Sequence, residues 1–273
     1  MQALESGEVD YLENASNDYV AALAKNPIIT VHGYSGFIGT IRFNHLYPPF
    51  DNVKMRQAVL AVADTTNWRT GYSVYACENA ETDEDDNGIL SGPRDWDLAR
   101  RLVTEAGYKG ERIVLLDPAD IPQLHAEALV TEQLLKRLGL NVELVTSEWG
   151  TIVKRVQVRE PVDRGGWSVV GTAFASFDML NPATNRNLRA PGPTGYSIPG
   201  WASDETIEDL PKAWFAATDE AQRRDLADKI QRRALEIGLY LPIGQFVARR
   251  AFRNSLTAIP DSPIPVLWDI EKH

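Results

Sequence analysis

The sequence predicts an α/β fold, in which helices pack on a sheet with at least some parallel strands. Between residues 95 and 174, strand-like and helix-like segments alternate three times with connections of a few residues, a pattern typical of such folds. The chain has 273 residues, of which 44% are hydrophobic. That is enough for one large domain or two modest ones with cores of their own.

Apolar runs and helix-ending glycines define the elements of this alternating block. Gly107 and Gly139 are placed to end two of its helices, and Leu98, Leu102 and Val103 should face inward on the first. The predicted helices span residues 95–107, 124–138 and 149–158, and the predicted strands span residues 112–116, 141–145 and 167–174.

Shorter elements flank the block on both sides. Gly33 and Gly36 should interrupt an apolar strand, while Asp204 and Asp219 should cap two helices. The first predicted flanking helix ends near residue 6, and the others span residues 18–25, 53–64, 205–218 and 220–237. The predicted strands or extended runs span residues 9–12, 28–32, 37–44, 239–246, 247–252 and 266–270.

Charge and cysteine content exclude several functions. A net charge of -10 and a pI near 5.0 argue against binding to nucleic-acid phosphates or anionic membranes. Cys77 is the only cysteine, so neither an internal disulfide nor a CxxC zinc site is expected. No run has the length of a membrane span, and the acidic N-terminus does not resemble a signal peptide.

The common catalytic and nucleotide-binding motifs are absent. We find no GxGxxG, GxxxxGK[ST], HExxH or GxSxG pattern, and we expect no cofactor. The acidic segment of residues 80–88 suggests calcium, but its spacing does not match the EF-hand loop, so a solvated loop is favoured.

Asp178 is the most suggestive single residue. It follows the apolar strand 167–174 and stands between aromatic residues and a proline, near Phe174 and Phe177. Two interpretations remain open from the residues alone: the carboxylate anchors a cationic group of a ligand, or it only caps the next turn.

Five stretches in order resemble the family 5 extracellular solute-binding proteins, the dipeptide and oligopeptide receptors of ABC importers. They are SGEVDYLE (6–13), FNHLYPPFDNVKMRQAVLAVAD (43–64), GPRDWDLARRLVTEAGYKG (92–110), LVTEQLLKRLGLNVELVTSEWGT (129–151), and the helix 220–237 followed by LPIGQF (241–246). The resemblance covers nearly the whole chain and implies the C-terminal half of a protein about twice as long.

The resemblance also implies a domain organisation. Residues 38–246 would form a complete lobe of the class II periplasmic-binding-protein type, with a mixed sheet flanked by helices. Residues 1–37 would be a remnant of the N-terminal lobe with the first hinge crossover, and residues 247–273 the return segment.

Asp178 matches the family aspartate that takes the ligand's α-ammonium group, whereas Thr172 stands where some oligopeptide receptors carry an arginine. Phe174, Phe177, Trp201 and Tyr34 are further candidates for the walls of the ligand site, although each of these aromatic residues would serve equally well in a core.

The resemblance thus implies non-catalytic capture of short peptides or related small solutes by lobe closure. The full-length protein would be periplasmic or extracellular and would deliver ligand to ABC importer permease subunits. Two alternatives stay open: a small amide or ester hydrolase that uses an Asp and a His whose pairing the sequence does not reveal, and a truncated module without a ligand.

Overall fold

The computed structural model describes residues 1–15, 17–63, 74–76, 89–196, 198–262 and 266–273. They form two compact units: Ile38–Gln245, and a smaller one that combines Met1–Phe37 with Phe246–His273. Cys77 and the acidic segment 80–88 lie outside the described residues. The assignment of the smaller unit's two pieces to another lobe stays a prediction.

Side-chain caps begin several of the helices, as the sequence predicts for Asp204 and Asp219. The carboxylates of Asp95, Asp204 and Asp219 each accept a hydrogen bond from the backbone N–H three residues on, at 2.7–2.9 Å. The α-helices are α1 (Gln2–Ser6), α2 (Asn17–Leu23), α3 (Val53–Leu60), α4 (Trp96–Glu105), α5 (Pro122–Arg137), α6 (Trp149–Arg155), α7 (Glu205–Ala216) and α8 (Glu220–Glu236). Two 3₁₀ helices, Val162–Arg164 and Ser176–Met179, flank one strand.

The sheet is mixed. Its strands are β1 (Tyr11–Leu12), β2 (Ile29–Phe43), β3 (Ile113–Pro118), β4 (Val142–Ser147), β5 (Val169–Ala175) and β6 (Tyr240–Arg253), and a separate pair is formed by β7 (Leu256–Thr257) and β8 (Glu271–Lys272). In the larger unit the order is β6-β2-β5-β3-β4. β3 runs parallel to both β4 and β5, which confirms the predicted parallel pairing.

Apolar side chains cover both faces of β3, the middle one of the three parallel strands. Ile113 and Leu115 belong to the main core of the larger unit, while Val114 and Leu116 point to a second cluster with Trp167 and Trp201. Alternate side chains of a strand point to opposite faces, so helices are needed on both sides. α5 and α6 both pack against β3.

The smaller unit has its own apolar cluster, formed by Leu4, Ala15, Leu23, Ile29 and Ala251. In it, β1 pairs antiparallel with the end of β6, and the rings of Tyr11 and Phe252 stack with centroids 6.4 Å apart.

Two predicted strand breaks are wrong. Gly33 and Gly36 lie inside the continuous strand β2, and the predicted strands 239–246 and 247–252 are one strand, β6. A Cβ atom on Gly33 would lie 3.2 Å from the side chain of Val247, and one on Gly39 would lie 2.8 Å from that of Ile243. At Gly33 and Gly39, the missing side chain therefore makes room for a β6 residue without ending the strand.

Two smaller predictions also fail. Leu98 is 37% exposed because the inward stripe of α4 runs through Ala99, Leu102 and Val103, one position further round the helix. The predicted strand 266–270 is not formed, since Asp269 has a left-handed backbone (φ 67°) in a turn, and the chain pairs only at β8.

Candidate functional site

The carboxyl ends of β5, β3 and β4 lie at one edge of the sheet. β3 is in parallel register with both neighbours, through Leu115–Val169 on one side and Ile113–Val142 on the other. In open sheets of this kind, ligands bind beyond the carboxyl ends of the strands. The residues that follow β5 and β3 are therefore the first place to search for a site.

Asp178 lies at this edge. The 3₁₀ helix Ser176–Met179 begins directly after β5 and carries Asp178 between the half-buried Phe177 and the fully buried Met179. The carboxylate is itself half-buried, and no other residue in the described part of the chain forms a hydrogen bond or ion pair with it. A partly desolvated carboxylate without a partner is suited to a cationic group from outside.

Asn181, and not Asp178, caps the turn that follows. Oδ1 of Asn181 accepts hydrogen bonds from the backbone N–H groups of Ala183 (2.9 Å) and Thr184 (3.3 Å). The alternative interpretation, in which Asp178 serves only as that cap, is therefore wrong.

The aromatic candidates fall into different places. Phe174 is half-buried and packs against the main core, and Phe177 is half-buried beside Asp178. Trp201 is only 4% exposed and belongs to the second cluster, where its ring centroid lies 6.1 Å from that of Trp167. The guanidinium of Arg159 lies 5.3 Å from the centre of the Trp201 ring.

Tyr34 lies in β2, within the smaller unit, and its side chain is outside the described part of the structure. The structure thus places Phe174, Phe177 and Asp178 on one segment of the larger unit, and it does not place Trp201 in the same cluster as Phe174.

A histidine and a buried aspartate form a second polar feature at the same edge. Asp117, near the end of β3, is fully buried, and one of its carboxylate oxygens lies 2.7 Å from Nδ1 of His125 in the first turns of α5. Its other oxygen accepts a hydrogen bond from the hydroxyl of Thr146 on β4 (2.8 Å). The His125 side chain is 39% exposed, and Asp117 is the one hydrogen-bond partner of its ring among the described residues.

Glu127 is a buried acid in the same helix. Its side chain lies over two glycines, because a Cβ atom on Gly171 would be 2.6 Å from Oε1 and one on Gly39 would be 3.5 Å from Oε2. Oε1 has no hydrogen-bond partner among the described residues. Burial raises the pKa of Glu127 well above its ordinary value, and the hydrogen bond from the backbone of Thr172 opposes this only in part.

A cavity of about 550 Å³ lies elsewhere in the larger unit, between α3, α8 and the start of α7. His45 and Arg56 line it. Burial, followed by the charges of Arg56 and Arg42, lowers the pKa of His45 well below its ordinary value. Within the described part of the chain, Nε2 of His45 has no hydrogen-bond partner. Arg56 donates to the carbonyls of Ile237, Phe50 and Asp51, and burial lowers its pKa to about 10.

Comparison with known proteins identifies the chain's family. Residues 1–194 match the family model described as "Bacterial extracellular solute-binding proteins, family 5 Middle". The chain belongs to this family.

Curated relatives of this solute-binding family align along nearly the whole chain. A probable peptide ABC transporter periplasmic-binding protein of Sinorhizobium fredii is 29% identical over 99% of this chain and 53% of its own length. The periplasmic oligopeptide-binding protein OppA of Escherichia coli is 25% identical over 90% of this chain and 46% of its own length. The chain thus spans about half the length of these relatives.

Solved structures agree on the fold. A dipeptide-binding protein from a Pseudoalteromonas species, solved in complex with Met-Leu, superposes with a TM-score of 0.80 at 22% identity. The match covers all of this chain and 55% of that one. The fold is therefore that of the periplasmic binding proteins, as the sequence predicts.

The described part of the chain gives no support for a metal site or for a membrane-spanning helix. Residues 1–15, 17–63, 74–76, 89–196, 198–262 and 266–273 contain no group of three or more His, Cys, Asp or Glu residues that could hold a metal ion. Among the same residues, no helix is both long and apolar enough to cross a bilayer.

The sequence interpretation missed two polar features of the larger unit, the Asp117–His125 pair and the buried Glu127. His125 is not part of a recognisable sequence motif. The Asp117–His125 pair could still have been predicted, because an acid ends an apolar strand and a histidine begins the next helix. Glu127 shares the buried stripe of α5 with Leu124, Ala128 and Leu135, so an acid at an apolar position was visible as well.

Proposed function

We propose that this chain contributes a ligand-binding lobe to the substrate-binding component of an ABC-type importer for short peptides or related small solutes. Asp178 takes the positively charged amino end of the ligand, and Phe174 and Phe177 form the adjoining apolar wall. Trp201, which is only 4% exposed, and Tyr34, which lies in the smaller unit, stay in the proposal as separate candidate contacts. No bond is made or broken.

The single observation that supports this assignment is the state of the Asp178 carboxylate. It is half-buried, follows a parallel strand at its carboxyl end, and has no partner among the described residues. A carboxylate in such a place gains a strong charge-assisted hydrogen bond when an ammonium group arrives. The names of the relatives, which are peptide-binding proteins of ABC transporters, agree with a peptide as ligand.

The proposal includes the cellular setting that goes with the relatives' names. The protein acts in the periplasm or outside the cell, closes two lobes around its ligand and presents it to permease subunits of the importer. The division at Phe37–Ile38 and Gln245–Phe246 is where we place the hinge crossovers.

A hydrolase is the weaker alternative. The Asp117–His125 pair resembles the orienting half of a catalytic triad. Within the described part of the chain, however, no serine, threonine or cysteine side chain is hydrogen-bonded to the free nitrogen of His125.

The test is a titration of the 273-residue chain with tri-alanine and N-acetyl-tri-alanine, followed by NMR. Since the chain spans about half the length of its curated relatives, the method must register millimolar dissociation constants. We expect the free amine to bind about tenfold or more tightly than the acetylated peptide, the usual effect of one charged hydrogen bond. Asp178→Asn should abolish this preference.

Asp163→Asn is the matched control, because Asp163 also lies in a 3₁₀ helix but at the opposite, amino end of β5. It should leave the preference unchanged. If neither peptide binds, the proposed function fails. If Asp178→Asn keeps the preference, only the anchor assignment fails. Turnover of either peptide would establish the hydrolase instead.

A further inference from the structure

We propose that the cavity between α3, α8 and the start of α7 is a second ligand site, in which His45 and Arg56 bind a small oxyanion. The ligand class is a carboxylate or a tetrahedral oxyanion such as a sulfate or phosphate group. None of the described residues that line the cavity belongs to β5 or to the 3₁₀ helix that carries Asp178. The inference therefore goes beyond the proposed function and does not rest on it.

The cavity has the size and the lining of a small-molecule site. Its volume is about 550 Å³, which lies within the usual range of ligand pockets. Val53, Ala202 and Ile237 contribute apolar lining, and His45 and Arg56 contribute polar lining. A few polar groups beside an apolar wall are what orients a small ligand in such pockets.

Two guanidinium groups near His45 are buried without a carboxylate partner among the described residues. Arg42 donates to a backbone carbonyl at 3.0 Å and to a side-chain amide oxygen at 2.8 Å, and Arg56 donates to three backbone carbonyls. Burial lowers the pKa of each to about 10, although the charge of Asp51 opposes this at Arg56. Because a buried cation without a paired anion is unfavourable, this region favours a ligand with negative charge.

The two acids that line the cavity already have a cationic partner. Oδ2 of Asp204 lies 2.5 Å from Nη2 of Arg233, and Oε2 of Glu236 lies 3.5 Å from Nη1 of the same guanidinium. The charged groups that affect the pKa of His45 are two arginines, and both lower it. The charge around His45 is therefore positive, which suits an oxyanion.

His45 and Arg56 each have a nitrogen left for the ligand. The His45 ring donates a hydrogen bond to the carbonyl of Leu239, and this donor is Nδ1 because Nε2 has no partner among the described residues. The hydrogen bonds of Arg56 use Nε and Nη1, which leaves Nη2 unpaired within the described part of the chain. When an oxyanion enters, the ring takes one proton from solvent, and Nε2 and Nη2 both donate charge-assisted hydrogen bonds to it.

The experiment titrates the 273-residue chain, carrying ¹⁵N-labelled histidine, with acetate and with sulfate at constant ionic strength. At least one of these anions should shift the ring signals of His45 in a saturable manner toward those of a protonated imidazole. Acetamide, which resembles acetate in shape but is uncharged, should not. Because one proton is taken up, anion affinity should rise as pH falls from 8 to 6, by at most about tenfold per pH unit. The tighter binder of the two identifies the ligand class.

Two variants with matched controls locate the site. His45→Phe keeps an aromatic ring but removes the donor, so it should weaken anion binding about tenfold or more, the usual effect of one charged hydrogen bond, and abolish the pH dependence. His273→Phe changes an exposed histidine (63% of the side chain) and should alter neither. Because His45→Phe can fail to fold, Val53→Phe, at a valine that is 38% exposed, narrows the cavity independently and should also weaken binding. Val153→Phe, at a valine of α6 that is 41% exposed, should not.

Several outcomes would overturn the proposal. They are the absence of a His45 shift with both anions, equal shifts by acetate and acetamide, and anion binding without pH dependence. Unchanged binding in both His45→Phe and Val53→Phe would place the anion elsewhere. Asp178→Asn should leave the anion affinity unaltered, and a loss in this variant would show that the anion acts through the peptide site. The peptide titrations test the proposed function separately, so either proposal can fail while the other stands.

Discussion

The carboxyl group of Glu127 lies against the backbone of Gly171, so closely that a Cβ atom on Gly171 would be 2.6 Å from Oε1 and 2.9 Å from Cδ. Glu127 comes from α5 and Gly171 from β5. The absence of a side chain at this point of β5 is thus what allows an acid to lie between the helix and the sheet.

Gly171→Ala should destabilise the protein. The added methyl group must displace a buried side chain, which costs about 1–3 kcal/mol in a packed interior. Thermal or urea unfolding measures the loss. Gly150→Ala is the control: Gly150 lies in α6 with open space around its Cα, so the substitution should stabilise by about 0.5–1 kcal/mol. Equal effects of the two substitutions would contradict the packing described for Glu127.

Glu127→Gln should change how stability depends on pH. The pKa of Glu127 is raised by burial in the folded protein. Its contribution to stability is therefore complete below the unfolded value of about 4.5 and is lost as pH rises toward the folded value. The expected loss is at most about 1.4 kcal/mol per pH unit.

Unfolding midpoints measured from pH 4.5 to 8 test this. The difference between wild type and Glu127→Gln should move in favour of the variant as pH rises. Glu132→Gln changes an acid of the same helix that pairs at the surface with Lys136, and it should show no such trend. A parallel pH dependence of wild type and Glu127→Gln would show that Glu127 does not resist ionisation.

His45 should make stability depend on pH in the direction opposite to that of Glu127. Its pKa is lowered by burial and by the charges of Arg56 and Arg42, so its contribution to stability is complete above the unfolded value of about 6.5 and is lost as pH falls. His45→Asn should therefore flatten the decline in stability between pH 7 and pH 5. The exposed His273, changed to Asn, is the control. An unchanged decline in His45→Asn would contradict the prediction.

Asp204 combines two interactions that substitution can separate. It caps α7 through the backbone N–H of Ile207 (2.9 Å) and pairs with Arg233 of α8 (2.5 Å). Asp204→Ala removes both and should cost about 1–2 kcal/mol or slightly more. Asp204→Asn keeps a capping oxygen and should cost less than about 1 kcal/mol, since Arg233 is partly exposed.

Asp219→Ala supplies the reference for a cap alone, because Asp219 caps α8 through Gln222. Denaturant unfolding of the three variants gives the comparison. If Asp204→Asn were as damaging as Asp204→Ala, the ion pair and not the cap would dominate.

Much of the fold could be predicted from local signals. Asp204 and Asp219 cap helices where the sequence indicates, and Gly139 takes the left-handed backbone expected after α5. These features depend on a few neighbouring residues, and a capping carboxylate acts through the N–H groups of its own helix.

What could not be predicted depends on contacts between distant segments. Gly33 and Gly39 lie within a strand because Val247 and Ile243 of β6 fill the space beside them. The Asp117–His125 pair needs the return of α5 onto β3, and the burial of Glu127 needs glycines on two other strands. Asp178 could be singled out from the sequence by its place after a strand. That it does not cap the following turn could be learned only from the structure, in which Asn181 is the cap.

At this edge of the sheet, Asn181 caps the turn after the 3₁₀ helix, whereas Asp178 supplies a charge without a role in that turn. Because an amide outside the 3₁₀ helix secures the next turn, the residue at 178 is not needed for the local backbone. The sign of its charge can be exchanged at small structural cost, as in Asp178→Lys. Under the proposed function, position 178 is thus a point at which divergence or engineering could change the preferred ligand charge from positive to negative while the surrounding chain stays the same.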